Sequence, residues 1–130
     1  MDVIYVLVTA ARNEEVYIEK TIKAVISQTT RPKKWVIVSD GSTDRTDEII
    51  KLYANKYAFI QYVRVESQRS RDFASKVYAI REGLKFLRRL DFSFLGNLDA
   101  DVSIEPNYYE CVLSKFQENP KLGKIGRAHV

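Results

Sequence analysis

Phe92-Ser93-Phe94-Leu95-Gly96-Asn97-Leu98-Asp99-Ala100-Asp101 is a largely apolar segment that ends in two carboxylates, and the rest of the chain is organised around that ending. In extended backbone, alternate side chains share a face, so Asp99 and Asp101 are expected to point one way and Ala100 the other. Two like charges held that close repel each other, and a cation between or beside them relieves the repulsion. With no His or Cys nearby, these oxygen donors suit magnesium or manganese rather than zinc. The plain alternative is ordinary solvated polarity at a strand end or helix cap.

Around this segment the 130 residues, 45% hydrophobic, suffice for one domain with a buried core. Val3 to Val8 is too short an apolar run to cross a bilayer and has no basic leader, so neither a membrane span nor a secretory signal is expected. The single Cys, Cys111, falls on the apolar side of a helical pattern and is expected to be a buried thiol, which suits a reducing cytoplasm. The net charge of +4 and pI near 9.2 come from scattered pairs such as Lys33-Lys34 and Arg88-Arg89. No nucleic-acid partner is therefore expected. The basic surplus would suit anionic substrates, or peripheral association with the inner face of an acidic membrane.

Val3 to Val8 and Trp35 to Val38 are continuous apolar runs, the pattern of strands covered on both faces. Phe59 to Val65 alternates apolar with polar residues, as a strand nearer the sheet edge does. Between them, Ile18, Ile22, Val25 and Ile26 mark a helix from Val16 to Gln28, and Ile49, Ile50, Tyr53 and Tyr57 mark a second. Asp44 is read as the cap of that second helix, with Asp47 completing a capping box. Phe73, Val77, Ile80, Leu84 and Leu87 define the inner face of a third helix. Gly83 lies inside it at a cost of about 1 kcal/mol relative to Ala, which implies close packing there. Tyr109, Val112, Leu113 and Phe116 give a fourth helix, ending near Asn119-Pro120. The order β-α-β-α-β-α-β-α predicts an α/β fold, a mostly parallel open sheet with helices on both faces. Such sheets bind ligands beyond the carboxyl ends of their strands. Three polar clusters lie there: Thr9 to Glu15, Ser39 to Asp44, and Asp99 to Asp101.

Four segments carry a family resemblance: Val8-Thr9-Ala10-Ala11-Arg12-Asn13-Glu14-Glu15, then Val38-Ser39-Asp40-Gly41-Ser42-Thr43-Asp44-Arg45-Thr46, Lys76 with Gly83, and Leu98-Asp99-Ala100-Asp101. From about Val3 to Gly123 the chain resembles the nucleotide-sugar-binding half of a family 2 glycosyltransferase, with the Rossmann-like GT-A fold. The resemblance implies that Ala10, Ala11 and Glu14 line the nucleotide and that Asp40 contacts the base. It further implies that Lys76 faces the donor site, that Asp99 serves the ribose or the metal shell, and that Asp101 holds a divalent cation, Mn2+ or Mg2+, on the diphosphate. Each has a plainer competitor. Glu14 and Glu15 also suit a helix N-terminus through the macrodipole, Asp40 also suits a turn, and Lys76 an ordinary solvated surface. The chain departs from the family pattern in lacking an early Pro in the first loop and in carrying Arg81 where the family often has Asn.

The implied activity is transfer of a sugar from a UDP- or GDP-linked donor to an acceptor hydroxyl on a glycan, lipid or protein. The alternative is a non-catalytic nucleotide-sugar-binding module or an inactive fragment. The catalytic base is expected downstream of this chain, with Glu105 and Glu110 the candidates if it lies within. Residues 1–124 are read as the native part of a truncated domain. Ile125 to Val130 are read as a foreign tail, the hexapeptide a common sequencing adapter would encode in this frame. A dinucleotide-binding loop is excluded because Thr9 to Glu15 holds no glycine. An aspartyl phosphatase would need an acid where Val38 stands.

Overall fold

The computed structural model describes residues 3–67 and 73–118. The two continuous apolar runs become the centre of the sheet. β1 (Tyr5–Ala11) pairs on one side with β2 (Lys34–Asp40) and on the other with β4 (Phe94–Asn97), while β3 (Ile60–Val65) flanks β2. All three pairings are parallel, and the strand order is β3-β2-β1-β4. The alternating segment thus lies at one edge, as its pattern predicts.

Because side chains alternate across a strand, the two central strands supply two cores. Tyr5, Leu7, Trp35 and Ile37 point to one face and pack with α1 (Ile18–Ile26), α2 (Thr46–Lys56) and α4 (Tyr108–Glu118). Val6, Val8, Val36 and Val38 point to the other, beneath α3 (Phe73–Leu84) and Leu87. The chain steps outward from β1 to β2 to β3 and then reverses to β4 on the far side of β1. Crossovers of one hand put the helix of the reversed step on the opposite face, where α3 lies. The reversal opens a crevice at the carboxyl ends of β1 and β4, the position at which open parallel sheets take ligands.

Three expectations about the elements are corrected. The strand proposed from Phe92 to Asp101 is regular only over Phe94–Asn97; Ala100 and Asp101 form a turn, so both carboxylates lie beyond the strand. On α3 the buried residues are Ser75, Ala79 and Gly83, whereas Phe73 is 81% exposed and Val77 also faces solvent. Small residues at that spacing let the helix approach the valine face of the sheet closely, and Phe73 and Val77 turn away from it, while Ile80, Leu84 and Leu87 pack against that face as expected. Cys111 is exposed, because Tyr109 and Leu113 take the inner face of α4.

Gly83 lies where the approach is tightest. A Cβ there would meet Val38 Cγ2 at 2.7 Å and Val8 Cγ2 at 2.9 Å, both on branched side chains fixed to strands. Gly83→Ala should therefore destabilise the chain by about 1–3 kcal/mol of overpacking, outweighing the gain of about 1 kcal/mol in helix propensity. Urea denaturation checks the sign, and a more stable alanine variant would contradict it.

Candidate functional site

The loops after β1 and β2 are bound to each other. Asn13, at φ 53°, accepts the Thr43 N–H on its side-chain oxygen at 2.8 Å and donates its own N–H to Ser42 Oγ at 3.1 Å. The Glu14 N–H donates to Thr46 Oγ1 at 2.8 Å, and the Glu15 N–H to Asp44 Oδ2 at 3.2 Å. Asn tolerates the left-handed backbone that this arrangement requires. Asp44 also accepts the Thr46 N–H at 2.9 Å, serving the start of α2 from one residue before the N-cap position, which Arg45 holds in place of the Asp44 expected there. Asp47 does not complete a capping box. Its carboxylate instead accepts Ser39 Oγ at 2.7 Å, the Tyr62 hydroxyl, and Arg64 Nη1 at 3.0 Å, tying the end of β2 to β3. Glu15 accepts the Arg45 N–H at 3.2 Å, so its charge serves the start of α2 rather than that of its own helix.

Against this loop pair lies a cleft of about 280 Å³, close to the lower end of ligand-site sizes. Ala10, Ala11, Glu14, Asp40, Lys76, Asp99 and Asp101, all singled out from the sequence, line it together. Arg12, Ser75, Ala79 and Ala100 line it as well. Arg12 stood inside the quoted first motif without a role. Ser75 and Ala79 were legible only as the small-residue spacing that continues to Gly83. Glu105 and Glu110 are exposed and outside the cleft lining.

Asp40 is almost fully buried, 3% exposed, at the end of β2. Its Oδ1 accepts the Ser67 N–H at 2.8 Å, and its Oδ2 accepts Ser67 Oγ at 3.0 Å and Ser75 Oγ at 2.5 Å. Burial alone would raise its pKa. The hydrogen bonds from Ser67 and Ser75, with the charge of Arg12 nearby, outweigh burial and hold it below the usual carboxylate value. Asp44 and Asp47 are lowered in the same way, against burial, by donors from Thr46 and from Tyr62, Ser39 and Arg64 respectively.

Three depressed carboxylates fix the sign of the acid response. Each binds its proton more weakly folded than unfolded, so its contribution is fully present above the unfolded value of about 4 and is lost as pH falls through the folded value. Stability should therefore fall as pH drops below about 4, and Asp40→Asn should flatten that fall. Urea midpoints measured across that range check it, and an unchanged acid slope in the variant would exclude Asp40 as a contributor.

The carboxylates after β4 are positioned from α1. The Thr21 hydroxyl, itself buried, lies 2.9 Å from the carbonyls of both Ala100 and Val102 and so pins the turn between them. Asp99 accepts Lys76 Nζ at 2.9 Å, a half-exposed pair of the kind worth about 0–1 kcal/mol. Asp101 is exposed, and no hydrogen bond or ion pair engages its carboxylate among the described residues. Also among the described residues, no three His, Cys, Asp or Glu side chains converge as a metal cage. One or two carboxylates beside an open cleft fit a hard cation whose shell is completed by phosphate oxygens and water, the usual arrangement for magnesium.

A parallel sheet covered on both faces, with a polar cleft at the carboxyl ends of its strands, defines an open-sheet α/β protein. The family model described as glycosyl transferase family 2 matches residues 6–129, and the chain belongs to that family. Among curated relatives, the poly-beta-1,6-N-acetyl-D-glucosamine synthase of Staphylococcus epidermidis is 31% identical over 116 residues, covering 89% of this chain and 26% of the relative. The synthase of the same description from Staphylococcus aureus strain COL is 29% identical over 117 residues, with the same coverage. The chain thus spans about a quarter of the length of these relatives. Among solved structures, S. aureus TarS 1–349 in complex with UDP superposes with a TM-score of 0.70 at 22% identity, covering 90% of this chain and 33% of that one. The mannosyltransferase PcManGT of Pyrobaculum calidifontis, in complex with GDP-Man and Mn2+, gives 0.66 at 21% identity, covering 89% and 32%. These likenesses bear out the fold class read from the sequence. The division at residue 124 and the tail after it lie outside the described residues.

Proposed function

We propose that this chain is the donor-binding part of a glycosyltransferase that takes a nucleoside-diphosphate sugar, with a divalent cation, and passes the sugar to an acceptor hydroxyl. The observation that carries the reading is the convergence of Ala10, Ala11, Glu14, Asp40, Lys76, Asp99 and Asp101 on one cleft at the carboxyl ends of three strands. Family membership supports it, as do the nucleotide-sugar ligands of the solved neighbours.

In this reading Asp40 receives the base and the Ala10–Ala11 backbone borders the nucleoside. Asp101, helped by Asp99, would hold manganese or magnesium, which when bound neutralises charge on the departing diphosphate. Lys76 stands 2.9 Å from Asp99 and supplies a second positive charge at the same place. Thr21 keeps the two carboxylates at the rim through the backbone between them. The sequence neighbours synthesise a poly-N-acetylglucosamine, which makes a cell-surface polysaccharide the natural class of product and the cytoplasmic membrane face the natural place.

Calorimetric titration of UDP into the chain, with manganese and then with EDTA, tests the reading. Binding should be measurable with the metal and at least about tenfold weaker without it. Equal affinity in both would remove the metal from the site, and no binding in either would remove the donor.

A further inference from the structure

From the edge of the sheet a line of polar side chains runs to Asn13, which stands between the cleft-lining residues Arg12 and Glu14. On β3, Tyr62 and Arg64 share one face, and both donate to Oδ2 of Asp47 in the first turn of α2, Arg64 Nη1 at 3.0 Å. Oδ1 of Asp47 lies 2.7 Å from Ser39 Oγ, which in turn lies 2.8 Å from Ser42 Oγ. The Asn13 N–H donates to that Ser42 Oγ at 3.1 Å. Chemistry fixes the direction of the line. Burial opposes the charge on Asp47, but donors from Tyr62, Ser39 and Arg64 keep it ionised at neutral pH, so it only accepts. Ser39 has a single proton, which goes to Asp47, and the proton between the two hydroxyls is therefore that of Ser42. Arg64 also donates to the Ser42 carbonyl at 3.2 Å, so backbone and side chain of Ser42 answer to the same charge pair. Asp47 itself is absent from the cleft lining.

We propose that Asp47 is a positioning residue: acting through Ser39 and Ser42, it holds Asn13 in its left-handed turn and so keeps the wall formed by residues 10–14 set for a nucleotide. This role rests on the donor cleft proposed above and adds what fixes one wall of it. Asn13 has φ 53°, a conformation that is costly outside glycine and persists where its neighbours over-determine it. Its side-chain oxygen takes the Thr43 N–H at 2.8 Å, and its own N–H is the far end of the line from Asp47. Hydrogen bonds that end on a charge are about twice as strong as neutral ones, and linked hydroxyls polarise one another. The carboxylate thus strengthens a contact two side chains away. Asparagine at this position reverses the line. Arg64 can only donate, so it holds the amide oxygen and turns the amide NH2 toward Ser39. Ser39 then donates to Ser42, whose own buried proton loses its acceptor while the Asn13 N–H shares Ser42 Oγ with a second donor. Glu14 keeps its separate tie to Thr46, so the wall loosens rather than unfolds.

Two readouts on the full chain test this role. Without nucleotide, amide hydrogen exchange at Asn13 should be about fivefold or more faster in Asp47→Asn and in Ser39→Ala, the worth of weakening one hydrogen bond. In manganese, calorimetry should show UDP bound about fivefold or more weakly by each variant. The double variant should bind UDP no worse than the weaker single one, because both changes break the same line. An Asp47 that serves stability alone would leave the UDP affinity of the folded variants unchanged. Ser39→Ala cuts the line while leaving Tyr62 and Arg64 on Asp47, and it stands in for Asp47→Asn if circular dichroism shows that variant unfolded. Asn13 exchange at the wild-type rate in a folded variant overturns the line from Asp47, as do additive losses of UDP affinity. Faster exchange with unchanged UDP affinity overturns the positioning role alone. Failure of the donor reading looks different, because the wild-type chain itself then binds no UDP in manganese whatever the exchange at Asn13.

Discussion

Asp101→Asn should lower the affinity for UDP measured in manganese to the level measured in EDTA, a loss of about tenfold or more. The two carboxylates differ in availability. Asp99 is already paired with Lys76 at 2.9 Å, whereas Asp101 is exposed and engages no partner among the described residues. The asparagine keeps the shape and one oxygen but removes the charge, so the expected effect is on the cation and through it on the diphosphate. Stability should change by less than about 0.5 kcal/mol, as at other surface positions without partners. A variant that binds UDP in manganese as tightly as the wild type would take Asp101 out of the metal site. A loss that persists in EDTA would mean a direct contact with the nucleotide instead.

Trp35→Ala should cost about 3–5 kcal/mol of stability, a large share of the 5–15 kcal/mol typical of a whole domain. Trp35 is fully buried in β2, among the side chains shared with α1 and α2, and its indole N–H donates to Thr9 Oγ1 at 2.9 Å. Truncation leaves a cavity under the central strands and an unpaired buried hydroxyl on Thr9, and each adds to the loss. Trp35→Phe should recover much of the packing while still leaving Thr9 unpaired, at a cost of about 1–3 kcal/mol. Because Trp35 is the sole tryptophan, unfolding in urea is best followed by circular dichroism. An alanine variant with the wild-type midpoint would contradict this account of the core.

That the first two strands are covered on both faces was legible because Val3 to Val8 and Trp35 to Val38 are continuous apolar runs, whereas their spatial order was not. The alternation of Phe59 to Val65 did mark the edge strand. The failures share a cause. On α3 the large residues Phe73 and Val77 repeat at helical spacing, yet the packed face is set by how near the backbone must come to the sheet, and only Ser75, Ala79 and Gly83 permit that distance. Periodicity measures hydrophobicity and is blind to such an approach. Cys111 was misplaced by the same logic, since its neighbours Tyr109 and Leu113 fill the inner face of α4.

At the site, Asp99 and Asp101 stood out by their spacing and Asp40 by the family resemblance, and the structure brings all three to the lining of one cleft. Residues that act by holding others were not legible. Thr21 reads as one more polar position on a helix until its hydroxyl is seen 2.9 Å from the carbonyls of Ala100 and Val102. Asp47 reads as a helix cap until Ser39, Tyr62 and Arg64 converge on it. Such partners come from segments far apart in the chain, and no local pattern announces them.

Crystals of the chain grown with UDP and manganese, with diffraction collected at the manganese absorption edge, test the central claim most directly. The account predicts one anomalous peak within coordination distance of Asp101 and of the diphosphate, with the base of the nucleotide against Asp40. A peak bound elsewhere, or a nucleotide seated away from Asp40, would contradict it.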